Sequence, residues 1–191
     1  MWQRLSEWIH RVSKGWVALS ALVIFLLFTA LVLPGQASQA EADTGAAGSP
    51  DTSFYYTADD LYQMAKAYGE EGRKAYVRTR FTFDLVWPLV YTVFLGTGIS
   101  WVYRRAFTPT GPWQRANVAP ILGALFDYLE NISTSVVMVR YPSPSAVGVT
   151  LAAIFTLVKW VFVNGSFVLL LIGIAVGVWR WARSRGRQQG E

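Results

Sequence analysis

The chain has 191 residues, 53% of them hydrophobic and 15% aromatic, and a formal net charge of +5. Its apolar residues lie in long blocks parted by charged flanks, which excludes a disordered chain or an ordinary soluble domain and points to a polytopic membrane protein. Cysteine is absent and the single histidine, His10, lies ahead of the first apolar block. That leaves no thiol chemistry, no Cys-based metal site and no intramembrane imidazole for haem or a metalloprotease centre, so no metal and no cofactor is expected.

In chain order, residues 1–15 read as a cytoplasmic N-terminal segment and residues 16–33 as a first transmembrane helix, close to the ~20 residues a span needs. Basic residues before it, Pro34 and Gly35 after it, and small residues at Ser38-Gln39-Ala40 or Ala40-Glu41-Ala42 also fit a cleaved secretory signal over about residues 1–40. The apolar run exceeds the ~7–15 residues of a signal core, which favours a retained anchor. An extracytoplasmic loop over residues 34–80 then divides in two. Residues 36–53, rich in Ala, Gly, Ser and Asp, read as a flexible tether. Thr57-Ala58-Asp59-Asp60 opens an amphipathic helix over about residues 57–80, with a hydroxyl cap and first-turn carboxylates. Leu61, Met64, Ala65 and Tyr68 give it an apolar face for the bundle or the outer leaflet, and Gly69 and Gly72 bend or end it.

Further spans follow at residues 81–103, 117–139 and 149–179, joined by a cytoplasmic loop (104–116) and a short extracytoplasmic loop (140–148), with a basic tail at 180–191. The expected fold is therefore all-α, a four-transmembrane-helix bundle with an extracytoplasmic amphipathic helix in its first loop. Continuous apolar blocks exclude a β-barrel, whose strands alternate. Arg4, Arg11 and Lys14, then Arg104, Arg105 and Arg115, then Arg180, Arg183, Arg185 and Arg187 all flank the same side, which places both termini in the cytoplasm. These cations are scattered over membrane flanks and form no interleaved patch, so nucleic acid is not an expected partner. Trp2, Trp8, Trp16, Trp87, Trp101, Trp113, Trp179 and Trp181 fall mostly near helix ends and read as interfacial anchors.

The candidate site is a buried polar cluster. Asp127, Glu130 and Asn131 share one stripe of the third span, three and four residues apart. Glu130 lies about nine residues from the outer end of its span and Lys159 about ten from the start of the fourth, so at ~1.5 Å per residue their depths match. A Glu130–Lys159 ion pair follows, with Asp127 sharing the lysine or bonding to Asn164. Two readings stay open: a structural link between the third and fourth spans, where polar contacts add ~0.6–2 kcal/mol each, or a site that binds or protonates a ligand from the bilayer. For an enzyme, Asp84, Asp127, Glu130 and Lys159 are the acid and base candidates. Asp84 has Arg78 and Arg80 beside it, and Pro88 can kink the second span and open room near Asp84 and Tyr91. Arg73, Lys74, Arg78 and Arg80 suit a lipid headgroup phosphate, or form a solvated basic face. Gly96, Gly98 and Ser100, with Gly165, Gly173 and Gly177, make small-residue faces for packing within the bundle or for a protein partner.

The segment from Tyr68-Gly69-Glu70-Glu71-Gly72-Arg73-Lys74-Ala75-Tyr76 into Phe83-Asp84-Leu85-Val86-Trp87-Pro88-Leu89-Val90-Tyr91, with Phe126-Asp127-Tyr128-Leu129-Glu130-Asn131, resembles an uncharacterised family of small bacterial four-helix membrane proteins. The resemblance covers about residues 68–131 and implies a shared fold and a bacterial inner-membrane location, without an activity. The vitamin K epoxide reductase type needs cysteines that are absent here. The expected function is a non-enzymatic integral membrane protein, an accessory or scaffold subunit, or a component that contacts membrane lipids. The alternative is a lipid-active enzyme or small carrier that uses the intramembrane carboxylates.

Overall fold

Long apolar runs leave a chain in lipid one local way to satisfy its backbone, the α-helix. In the computed structural model 88% of the chain is helical and no strand is present among the described residues. The structure describes residues 1–188. Residues 189–191 and the side chain of Arg187, part of the expected basic tail, lie outside the described residues.

Helix α1 (Trp2–Val12) precedes α2 (Gly15–Leu27), which runs through a π-helical turn (Phe28–Val32) into α3 (Leu33–Thr44). Helices α4 (Ala58–Ala67) and α5 (Gly69–Arg80) follow, then α6 (Phe83–Ala106), a 3-10 segment (Pro112–Val118), α7 (Ala119–Arg140) and α8 (Ala146–Gln188). Three stretches are long and apolar enough to cross a membrane: Gly15–Thr44, Gly69–Ala106 and Ala146–Arg185. Helix α7 is not among them, because Asp127, Glu130 and the polar run Asn131, Ser133, Thr134 and Ser135 dilute its apolar character. It is nevertheless the element packed most extensively on α8.

Several expected boundaries move. Pro34 and Gly35 do not end the first helix, since the π turn shifts the hydrogen-bond register and places Pro34 in the first turn of α3, where its missing N–H is not needed. The expected tether at 36–53 is helical as far as Thr44. Its Ala, Gln and Glu residues are good helix formers, and Gly72 of α5 lets the Asp43 carbonyl approach so closely that an added Cβ would lie 2.5 Å from it. The single amphipathic helix at 57–80 is two helices, broken at Gly69 with φ +64, while Gly72 sits inside α5 and does not bend it. The tail after residue 179 continues α8 as helix to Gln188.

The interior has two apolar cores. One gathers Tyr91, Phe94, Leu95, Ile99 and Tyr103 of α6 with Ala124, Val163 and Leu170, and α2 joins it through Ala21 and through Phe25, stacked on Phe94 at 4.5 Å. The other gathers Leu61, Ala65, Tyr68 and Tyr76 with Tyr56, Val137, Met138, Val149 and Ala152. On α7 and α8 alike, the stretch between the two cores carries the buried polar residues, Glu130 and Asn131 on one helix and Thr156 and Lys159 on the other. Beyond the first core, Arg104 donates to the Ser13 carbonyl, Asn117 to Ser6 O and Arg180 to Ala106 O, so the three basic flanks collect at one end of the molecule.

Replacing Gly72 with Ala should lower stability by ~1–3 kcal/mol through the overpacked α3–α5 contact, whereas Gly177→Ala, which meets nothing within 4 Å, should leave it unchanged. Thermal unfolding of both variants in detergent checks this. At the start of α4, Asp60 accepts from the Thr57 N–H (2.8 Å) and hydroxyl (2.7 Å), which hold its carboxyl below the usual carboxylate range. The capping contribution should therefore be full above the ordinary Asp value of ~3.9 and fade as pH falls through the depressed value. Hydrogen exchange of the first α4 amides across that window is the measurement.

Candidate functional site

The residues that interrupt the apolar pattern converge on one cavity of about 200 Å³, walled by α6, α7 and α8 and roofed by the strap that links α3 to α4. Its lining holds Asp51 from the strap, Arg80 from α5, Asp84 from α6, Asp127 from α7 and Lys159 from α8. Trp87, Tyr91, Trp160 and Phe167 supply aromatic walls, and Val163 and Asn164 complete them.

The structure brings Glu130 and Lys159 into an ion pair with both side chains buried, Glu130 at 0% and Lys159 at 4% exposure. Burial of an ion costs several kcal/mol, so each group depends on the other and on further hydrogen bonds. Thr156 supplies one, donating to Glu130 Oε1 at 2.7 Å, and the Tyr56 hydroxyl lies 2.9 Å from Thr156 Oγ1. With the threonine proton directed at the carboxylate, Tyr56 donates and the relay runs Tyr56 to Thr156 to Glu130. Burial accordingly pushes the Tyr56 hydroxyl well above its ordinary pKa.

Asp127 departs from expectation. Its partner is the Tyr91 hydroxyl, which donates to Oδ2 at 3.0 Å, and it makes no bond to Asn164. Asn164 lines the cavity from an exposed face of α8. The counting of helix turns placed the two at similar depth, but Tyr91 reaches across from α6 to fill the space. Asn131 is 2% exposed and its side-chain amide has no protein partner, so it lies in the polar layer without joining the network.

Asp84 pairs with Arg80, Oδ2 to Nε at 2.9 Å, rather than with Arg78. Arg80 is correspondingly not a headgroup ligand. It is 7% exposed, turned inward between Asp84 and Asp51, with its guanidinium 4.5 Å from the Tyr76 ring centroid. Of the other three cations assigned to a lipid headgroup, Arg73 donates to Ala65 O and lies over Tyr141, Lys74 is paired with Glu70 and Glu71, and Arg78 is exposed. Arg73, Lys74 and Arg78 line a separate groove with Val77, Met138 and Val139.

Sequence reasoning missed the strap. Asp51 pairs with Arg80, the indole N–H of Trp160 donates to Ser53 O at 3.1 Å, Phe54 stacks on Trp160 with centroids 5.6 Å apart, and Tyr68 donates to Gly48 O at 2.6 Å. Asp51 sat in a low-complexity stretch with no periodic signal to single it out. Trp87 is also reassigned, from interfacial anchor to cavity wall stacked on Phe25 and Phe28. Among the small-residue faces, Gly98 receives Leu170 and Gly173 receives the Tyr103 ring, so these serve packing inside the bundle, while Gly165 and Gly177 face open space.

No known family matches this chain. No curated protein and no solved structure matches it either, so the function is argued from the geometry of the site alone.

Removing one member of the central pair strands the other. Glu130→Gln or Lys159→Met alone should cost ~3–5 kcal/mol, and the double change substantially less than the sum. Unfolding midpoints of the three variants in detergent test this, and additive losses would show that the two charges are not coupled.

Proposed function

We propose that this chain is a non-enzymatic, four-span membrane protein that holds the polar head of a small amphiphile in the cavity beneath the strap. The observation that carries the reading is the convergence of Asp51, Arg80, Asp84, Asp127 and Lys159, from five separate elements, on one aromatic-walled space. A purely structural cluster would close on itself, whereas these side chains surround free volume. We favour holding over turnover because the cavity amine, Lys159, is tied to Glu130 and the lining adds no Ser, Thr, Cys or His, which leaves the aspartates Asp51, Asp84 and Asp127 as the acid and base groups an enzyme would have to use.

In this reading α7 is also a span, the third of four in chain order, its charges shielded by α8, α6 and the strap instead of facing lipid. The gathering of the basic flanks at one end supports a cytoplasmic position for both termini, with the strap and α4 on the outer side of a bacterial inner membrane.

Native mass spectrometry of the protein gently extracted from its own membrane should retain one amphiphile per chain, and Asn164→Trp, which fills the cavity from its rim, should release it. A bare chain, or a protein companion with no small molecule, would overturn the assignment.

A further inference from the structure

Resting on that reading of the cavity, we infer that its ligand is a cationic amphiphile whose ammonium head enters the cavity while its chain lies along α8 in the bilayer. Four carboxylates, Asp51, Asp84, Asp127 and Glu130, surround two cations, Arg80 and Lys159. Arg80 carries two of the carboxylates and Lys159 carries Glu130, so both cations are matched before any ligand arrives. An anionic head would have to displace one of these buried pairs and leave its carboxylate stranded.

The carboxylates are in the opposite position. Each cavity aspartate has one oxygen held and one free: Asp51 Oδ2 is on Arg80 and Ser49, Asp84 Oδ2 on Arg80, and Asp127 Oδ2 on Tyr91, while no protein donor among the described residues reaches any of the three Oδ1 atoms. Asp51 Oδ1 is enclosed by protein, so the free oxygens open to the cavity are those of Asp84, 9% exposed, and of the half-buried Asp127. The unmatched negative charge of Asp84 and Asp127 thus faces a small space, where a cation is the complementary occupant. The walls add to this preference, since Trp87, Tyr91, Trp160 and Phe167 present aromatic surface of the kind that recognises alkylammonium groups.

Size and exit fix the rest of the ligand. At about 200 Å³, the cavity falls below the ~300–1,000 Å³ of pockets that enclose a drug-sized molecule, so it takes a head group and not a whole lipid. Asn164 marks its rim on α8, and Val161 and Val168 on the same face, one turn to either side, are 61% and 54% exposed. An alkyl chain leaving the cavity there lies on apolar helix surface within the bilayer.

The test uses the full chain in dodecyl maltoside, titrated by calorimetry with octyltrimethylammonium, its uncharged tert-butyl isostere, and octyl sulfate. The trimethylammonium compound should bind saturably at one per chain and at least about tenfold more tightly than the isostere, a comparison made on the unaltered protein. Asp127→Asn, which keeps a side chain of the same shape beside Tyr91, should cut that affinity about tenfold with the unfolding midpoint unchanged. Saturable binding of octyl sulfate or the isostere at equal or higher affinity would overturn the cationic assignment and leave the cavity reading standing. Saturable binding of none of the three would overturn both.

Discussion

Glu130 and Lys159 form a contact that the surrounding bundle must preserve, because both are buried and neither charge is tolerable there alone. The pair fixes the register of α7 against α8, since a shift of either helix by a turn separates the charges by ~5 Å. It also explains why polar residues gather at this level and not elsewhere. A buried carboxylate with unfilled lone pairs invites further donors, and Thr156, backed by Tyr56, supplies them. Through Tyr56 the strap is tied to the same pair that sets the helices.

The rest of the cavity follows the same accounting of charge. Arg80, one turn before Asp84 at the junction of α5 and α6, points inward because two aspartates repay its desolvation. One of them comes from the strap, so the strap is held by side-chain contacts to the long helices rather than by backbone pairing. Trp160 repeats the device, with its indole N–H on Ser53 O and its ring against Phe54. The strap begins with Gly45 and Gly48, both at positive φ, which allow the chain to turn sharply from α3 back across the cavity. Roof and walls are thereby one network.

Much of the helical layout was legible because continuous apolar runs have few other outcomes, and the depth of Glu130 and Lys159 could be counted from the ends of their spans. What could not be read depended on contacts between distant segments. Asp51 lies in an Ala-, Gly- and Ser-rich stretch whose composition resembles a linker, and only Arg80, 29 residues further on, gives it a place. Pro34 and Gly35 are local break signals that a π turn absorbed, a choice made by the surroundings of α2 and α3 rather than by those residues. Trp87 stands six residues into its predicted span and so resembled an anchor, but the stack of Phe25 and Phe28 from the first helix draws it inward. For Asp127, helix depth offers Lys159 or Asn164 as partner, and it carries no signal for Tyr91, a hydroxyl donor on a third helix.

The position of the polar layer also bears on mechanism. Toward the basic end the cavity is backed by the core of Phe94, Leu95, Ile99 and Tyr103, in which Leu95, Ile99 and Tyr103 are fully buried. The hydroxyls embedded at this level, Thr97 and Ser166, donate to carbonyls of their own helices and offer no continuing path. The next polar cluster, where Asn117 donates to Ser6 O and to Ser100 Oγ, belongs to the far end. A conduction pathway needs polar groups in succession across the bundle, and here the succession stops at an apolar plug. The cavity, roofed by the strap, is therefore backed by an apolar layer on its basic side, which fits the proposed retention of a head group better than the passage of an ion.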